Sequence, residues 1–103
     1  MVDYVVEHTA GMTALRQLLR SLDATEHSFI LITKNDMPSP AQKEIFTQFL
    51  DNFEEVASVT DDEWDIGLLK IVCTPSVIIA ILENDDLLID LRAVSYDPPA
   101  QLH

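Results

Sequence analysis

Three scarcities set the first limits on this chain of 103 residues. It has one cysteine, two glycines and only six basic side chains against 18 acidic ones. A single cysteine forms no internal disulfide, no CxxC redox pair and no cysteine-rich zinc site. Two glycines leave no glycine-rich phosphate loop. A formal charge of −12 leaves nothing to neutralise a row of phosphates, which argues against nucleic acid and against an anionic membrane surface. Long apolar runs are missing too, and none approaches the ~18 residues of a membrane span. The opening residues show no basic-then-apolar leader; with the free Cys73 this sets the expectation of a reducing, cytoplasmic setting.

What is present is a rich apolar content, 48% of residues, too high for a disordered acidic tail. The length suits one domain. We expect it to span residues 1–97, with 98–103 as a tail broken by Pro98-Pro99. The acids are unevenly placed, with net −2 over residues 1–50 and −10 over 51–103.

Periodicity predicts the following elements. Val2 to Val6 is β-branched and short, a strand. Met12, Leu15, Leu18, Leu19 and Leu22 recur at helical spacing after a capping Thr9. Phe29 to Thr33 reads as a central strand buried on both faces. Ser39-Pro40 starts a helix, with Ser39 as cap, Pro40 at the first position and Gln42 completing a capping box. Ile45, Phe46, Phe49, Leu50 and Phe53 form its apolar stripe. Glu55 to Val59 is a third strand. Thr60-Asp61-Asp62-Glu63 resembles a second capping box, opening a short helix to about Leu69 with Trp64 inward. Val77 to Leu82 and Leu87 to Leu91 read as a hairpin turning at Glu83-Asn84-Asp85-Asp86. The expected order is β-α-β-α-β-α-β-β: an α/β fold with a mixed sheet of four or five strands flanked by helices.

That order, the helix launched at Ser39-Pro40, and the dipeptide Thr74-Pro75 before Ser76-Val77-Ile78-Ile79 resemble the thioredoxin-like superfamily. The resemblance implies a cis Pro75. It also implies a CxxC at the start of the second helix, where this chain has Ser39-Pro40-Ala41-Gln42 and no thiol. Without a thiolate to stabilise at the helix start, the family's redox exchange is absent. Weaker similarity extends to KaiB-like clock proteins and to hydrogenase-maturation thioredoxin-like chaperones, which keep the fold, lack CxxC and make protein contacts. A glutathione-binding role lacks the acidic-Ser motif and the helical domain that it requires.

The resemblance therefore implies a redox-inactive binding, chaperone or regulatory module. Its contact residues would be Met37, Pro38 and Ser39 at the second helix and Cys73, Thr74 and Pro75 on the proline loop, pairing with an extended peptide. Two other readings stand beside it. An acidic mimic would present Asp61, Asp62, Asp85, Asp86 and Asp90 to a basic, nucleic-acid-binding protein. A single-cysteine enzyme would use Cys73, which reads more simply as a small apolar residue. His8, His27 and His103 have no ligand spacing, so no metal and no cofactor are expected. The expected partner is another protein with a basic surface, and the edge beside the expected hairpin leaves room for a homodimer.

Overall fold

The computed structural model describes residues 2–35 and 38–98. In chain order the elements are β1 (Val2–Val5), α1 (Thr9–Ser21), β2 (His27–Thr33), α2 (Pro40–Leu50), β3 (Val56–Thr60), a 3-10 turn (Trp64–Ile66), β4 (Leu68–Cys73), α3 (Pro75–Leu82), α4 (Asp85–Leu88) and β5 (Leu91–Asp97). Met37 lies outside the described residues.

The five strands form one sheet in the order β1-β5-β2-β4-β3, and every neighbouring pair is antiparallel. The fold is thus α/β in content, but its sheet is not mixed as expected. Each connection β1-α1-β2, β2-α2-β3 and β4-α3-β5 skips one strand, and the skipped place is filled by a strand running the other way. From β2 to β5 this is the split β-α-β connectivity called ferredoxin-like, extended at one edge by β1 and α1.

Three expectations for the second half are corrected. Val77 to Leu82 is helix α3, not a strand. Thr74 is its N-cap and Pro75 its first residue, where proline's missing N–H costs nothing. Its apolar residues are almost all buried, so no amphipathic stripe marked it as helical. The expected helix to Leu69 shrinks to the 3-10 turn, since Gly67 at φ 83° reverses the chain there. Leu68–Cys73 is instead a strand, with Leu69, Ile71 and Cys73 buried in alternation. The third correction moves the last strand to Leu91–Asp97, second from an edge, while 85–88 forms a helical turn.

One core holds the molecule together. Leu15 and Leu19 of α1, Phe46 and Leu50 of α2, and Val77, Ile78, Ile81 and Leu82 of α3 join Phe29, Leu31, Leu69, Ile71, Cys73 and Val94 of the sheet. The helices therefore share one face of the sheet. Register confirms it: Phe29 lies beside Ile71 and Tyr96, and Leu31 beside Leu69 and Val94. Burying a side chain of this size contributes ~1.5–3 kcal/mol. β2 is central, as expected, but only Phe29, Leu31 and Thr33 are buried; Ser28, Ile30 and Ile32 face the other way and are half-buried.

Gly11 lets α1 lie on β1, because a Cβ there would collide with the Val5 carbonyl oxygen. At α2 the expected capping box is formed. The Ser39 hydroxyl accepts from the Gln42 N–H (3.2 Å), and Gln42 Oε1 accepts from the Ser39 N–H (3.0 Å). Trp64 is buried, packs edge-on to Phe46, and donates its indole N–H to the Ser39 carbonyl (3.2 Å). That bond fixes the start of α2 to the 3-10 turn.

Candidate functional site

Antiparallel pairing places the two halves of the expected contact ridge at opposite ends of the sheet. β2 runs from His27, paired with Cys73, to Thr33, paired with Leu91. Pro38 and Ser39 follow the Thr33 end, whereas Cys73, Thr74 and Pro75 sit at the His27 end. The seven-residue β2 separates them by roughly 20 Å. The two groups therefore cannot line one short peptide site.

The peptide bonds of the described residues include no cis bond, so the expected cis Pro75 is corrected. Pro75 is trans and buried at the base of α3. The Thr74 N–H donates to the Glu55 carbonyl (3.3 Å), and the Thr74 and Ser76 hydroxyls lie 2.8 Å apart at the surface.

Thr74, Pro75 and Ser76 instead form one wall of a groove of about 320 Å³. The end of α1 supplies the other wall through Leu19, Leu22 and Ala24. Ile79, one turn into α3, closes the floor. Asp23 and Glu55 stand at the rim. Asp23 Oδ1 accepts from the Thr25 hydroxyl (2.6 Å) and lies 2.9 Å from His27 Nε2. The Thr25 and His27 hydrogen bonds hold its carboxyl below the usual aspartate range. Asp23 thus keeps its negative charge at mildly acid pH. Chemically, the groove can receive an apolar side chain flanked by a basic one.

Cys73, the residue before Thr74, is fully buried. Burial, with a smaller contribution from the Glu26 charge, pushes its thiol up to about 12. A nucleophilic cysteine needs the opposite shift, so the geometry favours the apolar-residue reading over thiol chemistry. Among the described residues, no three His, Cys, Asp or Glu side chains come together in a way that could hold a metal ion. No helix of the described residues is long and apolar enough to cross a membrane.

The five acids singled out in the sequence do come to one end. Asp61 and Asp62 follow β3, Asp85 and Asp86 open α4, and Asp90 precedes β5, all at the Thr33 end. Part of that charge is spoken for locally. Lys43 pairs with Asp61 (3.2 Å).

Sequence reasoning found Thr74 and Pro75 but missed the residues that complete the groove. Leu19 and Leu22 read only as part of the buried stripe of the first helix, Asp23 and Ala24 fell between elements, and Ile79 read as part of a strand. Comparison with protein-family models, with curated proteins and with solved structures gives no match to the chain.

Proposed function

We propose that this chain is a redox-inactive protein-binding module of regulatory or chaperone type, engaging a partner through the groove at Thr74-Pro75. The role is the one that the thioredoxin-like resemblance implies, but the reason for it differs. It no longer rests on a cis-proline loop or on the start of α2. The observation that carries it is the groove itself: an apolar lining of Leu22, Ala24 and Ile79 between two helix ends, with Leu19 buried beneath it and Asp23 and Glu55 at its rim. Recognition sites are concave and mostly apolar with few convergent polar groups. An acidic rim selects a basic segment. The high thiol pKa of Cys73 supports a role without covalent chemistry.

The test is affinity capture from native lysate, with the wild-type chain set against three variants. Thr74→Arg and Ala24→Arg put positive charge on the two groove walls. Ala41→Arg places the same charge at the exposed start of α2, at the far end of the sheet. Loss of the captured protein by the two groove variants, with retention by Ala41→Arg, is the expected result. Equal capture by all four chains would remove the groove from the proposal.

The acidic-mimic reading is favoured by a separate observation, the gathering of Asp61, Asp62, Asp85, Asp86 and Asp90 at the Thr33 end. Capture that survives the groove variants but collapses with rising salt would replace the first reading by this one.

A further inference from the structure

The face of the sheet turned away from the helices has no covering element among the described residues. Pairing arranges its side chains in three rows. Val5, Ala93, Ile32 and Leu68 form the first, all apolar. Asp3, Ser95, Ile30, Lys70 and Thr60 form the second. Asp97, Ser28, Val72 and Ser58 form the third. A depression of about 250 Å³ opens on this face over Ser28, Ile30, Lys70 and Val72. In a chain of net charge −12 the three rows carry only Asp3, Asp97 and Lys70. Loss of charge over a connected, partly apolar surface is the mark of an interface core.

We propose that this open face pairs with the same face of a second copy of the chain. The argument is self-complementarity. Consider a two-fold axis between two such faces, parallel to the strands and over the seam of β5 and β2. It carries β1 onto β4 and β5 onto β2 while keeping each row in register. Asp3 then lies over Lys70 of the partner subunit, and by symmetry the pair occurs twice. Val5 meets Leu68 of the partner subunit, and Ile32 meets Ala93 of the partner subunit. Ile30 covers Ser95 of the partner subunit, which is buried between its own neighbours and bonded to Asp3. No like charges coincide. Sheets packed face to face with strands nearly aligned are a standard solution for a bare sheet face, and an isologous pair needs a surface that matches itself under the two-fold.

Sedimentation velocity of the full chain over a dilution series tests this. The expected result is a dimer that dissociates on dilution, weakened ~10-fold or more by Ile30→Lys at the centre of the face. Asp3→Lys and Lys70→Asp should each weaken it similarly, since each brings like charges together, and the double swap should restore it. Within one chain these two residues lie three strand spacings apart, roughly 14 Å, so rescue cannot come from an internal pair. The swaps sit at exposed side chains, but Asp3 also bonds Ser95 and Lys70 also pairs with Glu63 (3.4 Å) within the chain, so a denaturant melt of each variant first establishes that it is folded. Folded swaps then carry the test if Ile30→Lys fails to fold. A chain that stays monomeric at every concentration overturns the proposal. So does a dimer indifferent to the swaps, or swaps whose combination gives no rescue.

Discussion

The two faces of β2 were cut from the same kind of sequence and ended in different surroundings. Phe29, Leu31 and Thr33 point to the helices and are 1%, 0% and 5% exposed. Ser28, Ile30 and Ile32 point the other way and stay half-buried with no helix over them. The run Phe29-Ile30-Leu31-Ile32 is uniformly apolar, so composition marks it as buried on both sides. The connectivity decides otherwise, because all three crossover helices land on one face. An apolar strand face left bare is the information that a sequence pattern cannot carry, since it depends on where other elements go.

The largest test of this contrast is a pair of truncations. Phe29→Ala should cost about 3–5 kcal/mol, by lost transfer energy and a cavity beneath α1 and α3. Ile30→Ala, one residue along, should cost below about 2 kcal/mol in the monomer, because its site already touches solvent. Equal costs in denaturant melts at a concentration where the chain is monomeric would mean that Ile30 is covered within the chain itself.

A smaller effect is expected at the seat of α1. Gly11→Ala forces the helix off the Val5 carbonyl and should cost about 1–3 kcal/mol, the usual range for overpacking. A neutral or stabilising result, which helix propensity alone would give, would show that α1 is not held so closely.

The smallest effect is pH-dependent and reads the covered face alone. The Cys73 thiol is pushed up to about 12 in the folded chain, against ~8.5 when unfolded. Its contribution is fully present below the unfolded value and is lost as pH rises toward the folded one. Stability should therefore fall by at most ~1.4 kcal/mol from this group over the first pH unit above ~8.5. Cys73→Val should flatten that slope. A slope unchanged by the substitution would assign it to other groups.

The first half of the fold was legible because its signals were local. The Ser39-Gln42 box, the heptad-like leucines of α1 and the β-branched start each act over a few residues. In the second half the same cue was present and pointed elsewhere. Thr74-Pro75 opens α3 as Ser39-Pro40 opens α2, with a polar cap and proline at the first position. It was outweighed by Val77-Ile78-Ile79, whose β-branched side chains favour a strand until tertiary burial overrides them. The acids at 61–63 likewise suggested a helix start and hid the alternation of Leu69, Ile71 and Cys73. Of the candidate site, the sequence identified the Thr74-Pro75 wall. The facing wall at Leu22 and Ala24 is brought there only by the packing of α1 on α3.

Amide chemical-shift mapping of the full chain against its captured partner addresses the binding role most directly. Shifts should concentrate at residues 19–24 and 74–79, on the two walls and floor of the groove. Shifts confined to residues 61–62 and 85–90, with the groove unmoved, would contradict it.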